Sequence, residues 1–145
     1  MTGSGDPSGE VRTMSEPVEL CIPVQSDLIV LARLTAATVA SRAGFDVEEV
    51  DDLRLAVDEL CVLVADGGTS GRLTLSFITD GDVVEVICAL DGPAGVEEEG
   101  HPDEHGEREL SVRILDALVD EHGDEFDDGQ RRGWLRKRSV RHQPS

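Results

Sequence analysis

The spacing of apolar residues in the first half of the chain is that of helices lying on a core. The clearest run predicts one helix with a single buried stripe: Val50, Leu53, Val57, Leu60 and Val64. Asp46 is a good cap for its start, and the acidic Glu48 and Glu49 suit the positive end of a helix. Ser26 and Asp27 predict the start of a preceding helix, and the apolar-rich run of residues 28–43 follows and ends at Gly44.

Other stretches alternate between apolar and polar residues, as half-buried strands do. An Asp-Gly turn at Asp80 and Gly81 predicts a hairpin between two of these strands. We expect five strands and a third helix, at residues 18–24, 72–78, 83–90, 124–127 and 133–140, and 107–121 for the helix. The elements do not alternate one for one, which favours an α+β fold: a two-layer α/β sandwich with three helices on one face of a mostly antiparallel sheet.

The length of 145 residues suits one domain with a single core. We expect that domain at residues 17–140. The polar, Gly-, Ser- and Pro-rich residues 1–16 predict a disordered tail, and residues 141–145 a short C-terminal one. The three cysteines lie in apolar runs without zinc spacing, so we expect buried, reduced thiols.

Charge narrows the function classes. The chain carries 31 acidic and 13 basic residues, a net charge of −18, which argues against a nucleic-acid binder and favours a basic partner. Six of the basic residues lie between Arg131 and Arg141, where we expect them to pair with the acidic body or to remain solvated. No apolar run is long enough to span a membrane and no secretory signal is visible, so we expect a cytoplasmic protein.

The segment Ala56-Val57-Asp58-Glu59-Leu60-Cys61, with the helix lengths and turn positions around it, resembles the anti-sigma-factor serine kinases of the RsbW/SpoIIAB type. These kinases have the Bergerat fold of the GHKL (HATPase) superfamily, which binds ATP with Mg²⁺. The resemblance is dense over residues 28–66 and continues in element order to about residue 140. It implies that fold for this chain, and it supplies four nucleotide signatures that can be compared with the sequence.

The first signature is a glutamate followed four residues later by a Mg²⁺-binding asparagine, which places both on one helix face. The resemblance implies that Glu59 is the catalytic base. Leu63 stands at the asparagine position, and leucine offers no oxygen to a cation that accepts oxygen ligands. We expect no metal site elsewhere, because His101 and His105 lie in a loop without a third ligand.

The other three signatures are altered as well. The resemblance implies that Asp91 contacts adenine and that Gly95 lies against the nucleotide, but Pro93 replaces a glycine between them. Glu109-Leu110-Ser111-Val112 stands where a Gly-Leu-Gly-Leu segment would bind phosphate at a helix start. Gly133-Trp134-Leu135 stands where a Gly-Thr-Thr element would lie. The loop after Asp91 is strongly acidic and has Arg108 as its one firm cation, which opposes a polyanion.

These features give three hypotheses. The first is an RsbW-like anti-sigma factor that sequesters a sigma factor, with weak or lost ATP binding. In it, Arg33 matches a partner-binding arginine of the family, a STAS-type anti-anti-sigma protein releases the sigma factor, and a homodimer is possible. The second is an active ATP-dependent serine kinase that phosphorylates the STAS-type antagonist. The third is an acidic interaction module that keeps only the Bergerat scaffold, because fold does not fix function.

Overall fold

The structure is a computed structural model that describes residues 16–66, 68, 70–92, 103–127 and 129–140. The predicted tails lie outside these residues, except for Glu16. Eight elements follow in the order β1 (Val18–Pro23), α1 (Ser26–Arg42), α2 (Val47–Ala65), β2 (Arg72–Asp80), β3 (Val83–Asp91), α3 (Asp103–Leu118), β4 (Glu121–Asp127) and β5 (Gln130–Arg138). Among the described residues, no helix combines the length and apolar character needed to cross a membrane.

The five strands form one antiparallel sheet in the order β1-β2-β3-β5-β4. Helices α1 and α2 lie on one face of it, and α3 packs against α2 and reaches β4. The predicted α+β sandwich is therefore confirmed, with its order of elements.

The core lies between α2 and the sheet. Four residues of the predicted α2 stripe are completely buried: Leu53, Val57, Leu60 and Val64. They face the buried side of β2 and β3, where residues such as Leu75 and Cys88 are paired across the strands. Gly133 of β5 has no side chain because α2 passes directly over it. A Cβ there would lie 2.9 Å from Leu60 Cδ1 and from Val64 Cγ2.

The start of α2 is tied to the end of the sheet by one carboxylate. Asp46 and Glu49 form the reciprocal capping box, each side chain accepting the other's backbone N–H at 2.9 Å. Glu49 is buried and also accepts from Ser139 Oγ at 3.1 Å and from the Val140 N–H at 2.7 Å. Burial raises the pKa of Glu49, but the bonds from Asp46, Val140 and Ser139 outweigh that effect, and the pKa lies below its ordinary value.

Helix α1 begins at Ser26, one of its two predicted start residues, with Gln25 as a cap whose side chain makes no capping bond. Other predicted boundaries were wrong. Helix α3 runs from Asp103 to Leu118, so it begins before Glu107 and ends before Glu121. Strand β4 begins at Glu121, because the ladder to β5 continues there and places an arginine opposite Glu121. A hydrophobicity pattern does not detect such a strand end, because its residues are charged.

The basic C-terminal strand pairs with the acidic body, which was one of the two predicted alternatives. Each basic residue of β5 lies within 4.0 Å of a carboxylate outside that strand. The pairs are Arg131 with Asp66, Arg132 with Glu125, Arg136 with Glu85 and Glu121, Lys137 with Asp52, and Arg138 with Asp82.

The cysteine prediction was right for two residues and wrong for the third. Cys61 and Cys88 are buried, and a hydrogen bond with Cys61 together with burial raises the pKa of Cys88 well above its usual value. Cys21 is exposed. In β1 the alternating neighbours Leu20 and Ile22 face the helices, which leaves Cys21 on the opposite face beside Arg72 and Thr74.

Candidate functional site

Glu59 lies on α2, half-buried on the side that faces α3. Its carboxylate is engaged within the chain, because Ser111 Oγ of α3 donates to Glu59 Oε1 at 2.8 Å. Ser111 itself is 3% exposed. The carboxylate predicted to be the catalytic base therefore already accepts a hydrogen bond from a serine hydroxyl of its own chain.

Leu63 lies one turn beyond Glu59, at the position where the family signature has a magnesium ligand. Its side chain is 4% exposed and belongs to the hydrophobic core. Within the described ranges no group of three or more His, Cys, Asp or Glu side chains could hold a metal ion. The residues around Glu59 therefore do not fit a bound Mg²⁺.

Asp91 ends β3, and its carboxylate accepts a hydrogen bond from Gln130 Nε2 at 2.8 Å. An adenine amino group is a donor of the same kind, so Gln130 occupies one acceptor that such a base would need. The backbone packs closely beside Asp91, where Gly92 has a φ of +120° and a Cβ on it would lie 2.9 Å from Gly71 Cα. Gly95, the other predicted nucleotide contact, lies outside the described residues.

Residues 109–112, at the phosphate-binding position of the family, lie more than one turn inside α3. Backbone N–H groups that deep in a helix are bonded to the carbonyls four residues earlier. They are therefore not free to donate to a phosphate, as the N–H groups of a helix start are. The early start of α3 therefore changes this part of the site in addition to the loss of both glycines.

Arg108, the cation expected near a triphosphate, is paired with two carboxylates. Its guanidinium lies 3.6 Å from Asp66 Oδ1 and also contacts Asp124. Asp66 ends α2 in the left-handed conformation, with a φ of 53°, and its other oxygen lies 3.0 Å from Arg131 Nη2. These four residues join α2, α3, β4 and β5 in one network of ion pairs.

The sequence assigned no role to Ser111, Gln130 or Asp66 in these contacts. The sequence position of Ser111 could have indicated a buried contact, because Ser111 lies four residues before Leu115 on the buried stripe of α3. A hydroxyl in a buried stripe needs a hydrogen-bond partner, and Glu59 is the acceptor that meets it. The contacts of Gln130 and Asp66 could not be predicted in this way, since both are polar residues at the ends of secondary-structure elements.

Arg33 lies on α1, beside the α2 residue that precedes Glu59. Its Nε is 3.6 Å from Asp58 Oδ1 on α2, with 37% of the arginine side chain exposed. The Nε atom is buried and has no hydrogen-bond partner. Exposed apolar residues lie within one helical turn of the pair, namely Val30, Leu34, Leu55 and Val62.

Comparison with known proteins gives one family. A family model described as a histidine kinase-like ATPase domain matches residues 22–137. A serine-protein kinase RsbW of Bacillus subtilis (strain 168) is 27% identical over 126 residues, which are 77% of this chain and 79% of that protein. A serine-protein kinase RsbW of Halalkalibacterium halodurans is 34% identical over 82 residues, which are 53% of this chain and 49% of that protein.

Proposed function

The chain belongs to the family of histidine kinase-like ATPase domains, and on that premise we propose that it is an RsbW-like anti-sigma factor. It binds a sigma factor and keeps it from RNA polymerase, and this binding does not need ATP. The observation that carries the proposal is the exposed apolar surface of α1 and α2 around Arg33, on a strongly acidic protein.

The surface has the composition of a binding site, and we call it the α1–α2 face. It consists of the Arg33–Asp58 pair and four apolar residues that are each at least 40% exposed: Val30, Leu34, Leu55 and Val62. Arginine is enriched among the residues that carry most of a binding energy, and surrounding apolar contacts exclude water from it. More than a third of the Arg33 side chain is exposed, so its guanidinium can contact a partner that covers the face.

Charge supports a basic partner. The net charge of −18 attracts a basic surface over several ångströms and speeds its encounter with the α1–α2 face. We therefore propose that the sigma factor docks through a basic and partly apolar segment. A STAS-type anti-anti-sigma protein that competes for the same face would release it.

Weak or lost ATP binding is the second part of the proposal. Three positions support it: Leu63 offers no oxygen, Glu59 accepts from Ser111, and Asp91 accepts from Gln130. A nucleotide would have to displace both internal donors and would still lack the family's metal ligand. Sequestration alone requires none of these groups.

Reversing the charge of Arg33 tests the proposed face. In a pull-down against the sigma factors of the source organism, we expect the wild-type chain to retain at least one. Arg33→Glu should weaken that binding at least about tenfold, because it removes a central donor and adds a like charge beside Asp58. Affinity would be measured by calorimetry, and circular dichroism would show that the variant is folded.

Arg113→Glu is the matched control. Arg113 is exposed on α3, and in the described part of the chain no carboxylate pairs with it. The same change of net charge there should leave affinity within about twofold, since it lies outside the α1–α2 face. Equal affinity of Arg33→Glu and wild type would remove Arg33 from the interface, and recovery of no sigma factor would contradict the function.

A further inference from the structure

We propose that a latch of two polar contacts holds α3 against α2 without a bound ligand. The α3 latch consists of the Ser111–Glu59 hydrogen bond and the Arg108–Asp66 ion pair. Glu59 is in this state a positioning residue whose carboxylate orders a helix. The proposal concerns the conformation of the site, and it stands whether or not a sigma factor binds elsewhere.

Helix α3 needs such contacts because its apolar contribution to the core is small. Leu115 is its completely buried apolar residue, and Val112 and Leu118 are partly buried against the core. Leu110 is 58% exposed. Of the described side chains before Val112, Ser111 is the one that is buried, so residues 108–111 of α3 are held against α2 by hydrogen bonding and charge.

The two contacts resist the same motion. Arg108 and Ser111 are three residues apart on α3, so they lie on one face of it, one turn apart. Their partners, Asp66 and Glu59, are two turns apart on α2. Lifting the first half of α3 from α2 breaks both contacts together. Asp66 cannot follow α3, because Arg131 of β5 holds its other oxygen at 3.0 Å.

The latch also masks a carboxylate oxygen. Ser111 Oγ lies 2.8 Å from Glu59 Oε1, at the distance a base keeps from the hydroxyl whose proton it accepts. Any other hydroxyl that uses this oxygen has to displace Ser111 first. Closing α3 and masking Glu59 are therefore one event, and opening α3 exposes the carboxylate.

Hydrogen exchange of the full-length protein tests the latch. Ser111→Ala removes the donor and leaves Glu59 in place, so the amides of residues 109–114 should exchange about tenfold faster than in wild type. The amides of β2 and β3 should not change, which separates local opening of α3 from global unfolding. Arg108→Ala should give about a twofold increase, since its ion pairs with Asp66 and Asp124 are both partly solvent-exposed.

Glu59→Gln is the matched variant. Its amide oxygen still accepts from Ser111 while the charge is gone, so exchange in α3 should stay within about twofold of wild type. Glu59→Ala removes the acceptor and should behave as Ser111→Ala does. A latch that depends on the charge of Glu59 would make exchange in Glu59→Gln as fast as in Ser111→Ala, and without a latch none of these variants would change the exchange of α3.

Three results would overturn the proposal. The first is unchanged exchange in α3 for both Ser111→Ala and Glu59→Ala. The second is equally fast exchange in Glu59→Gln and Ser111→Ala. The third is a several-fold slowing of α3 exchange when Mg-ATP is added to wild type, because that would mean a ligand completes the closure. Loss of sigma-factor binding in Arg33→Glu bears on none of these, so the two proposals fail separately.

Discussion

The two ends of α2 each carry a glutamate that is bonded to a serine, and the two glutamates are held very differently. Glu49 at the start is 6% exposed and accepts three hydrogen bonds, two of them from backbone N–H groups. The donors are the backbone N–H groups of Asp46 and Val140 and the hydroxyl of Ser139, which directly precedes Val140. Glu59 near the other end is half-buried and accepts one hydroxyl, from Ser111.

This difference distinguishes a carboxylate that supports the fold from one that belongs to the candidate site. Backbone donors cannot turn away, so the Glu49 contacts persist as long as α2 and the C-terminal segment are folded. A single serine hydroxyl can rotate, so the Glu59 contact can open while the core stays intact. Residue type alone does not distinguish the two carboxylates; the kind of donor does.

The largest expected effect is on the Glu49 side. Glu49→Ala leaves the Asp46 and Val140 N–H groups and the Ser139 hydroxyl without their acceptor, which should lower the free energy of unfolding by about 3 kcal/mol. Urea denaturation measures it. Glu48→Ala, an exposed neighbour in the same helical turn, should cost less than about 0.5 kcal/mol. Equal losses in the two variants would mean that the bonds to Glu49 contribute nothing.

A smaller effect should appear with pH. The pKa of folded Glu49 lies below its ordinary value of 4.5, so its carboxylate stabilises the fold above that value. This stability is lost as pH falls through the lowered folded pKa. The stability difference between wild type and Glu49→Gln should therefore be largest near neutral pH and shrink between about pH 5 and pH 2. A constant difference over that range would contradict a lowered pKa.

Sequence reasoning predicted the fold well because the burial pattern is regular. The α2 stripe, the Asp46 cap and the Asp80–Gly81 hairpin all follow local rules, and the structure confirms all three predictions. The ends of α3, β4 and β5 were placed less well. Their outer residues are charged, and they are in helix or strand because of partners far away in the sequence, such as Arg136 opposite Glu121.

The site could be predicted only in part, for a related reason. The replacement of the metal ligand by Leu63 is visible in the sequence, and its burial agrees with it. The donors on Glu59 and Asp91 come from Ser111 and Gln130, each more than 35 residues away. A spacing rule does not find such contacts, and the roles of Glu59, Asp91 and Arg33 stay predictions that experiments have to test.

Calorimetry with Mg-ATP tests the central claim most directly. That claim is that the fold is kept while the groups that hold the triphosphate and its metal are lost. We predict no saturable binding up to about 1 mM Mg-ATP, which corresponds to less than about 4 kcal/mol of binding free energy. Leu63→Asn alone should not restore binding, because Ser111 and Gln130 still occupy Glu59 and Asp91. Saturable binding of wild type with a dissociation constant near 10 µM or below, about 7 kcal/mol, would contradict the claim and favour the active-kinase hypothesis.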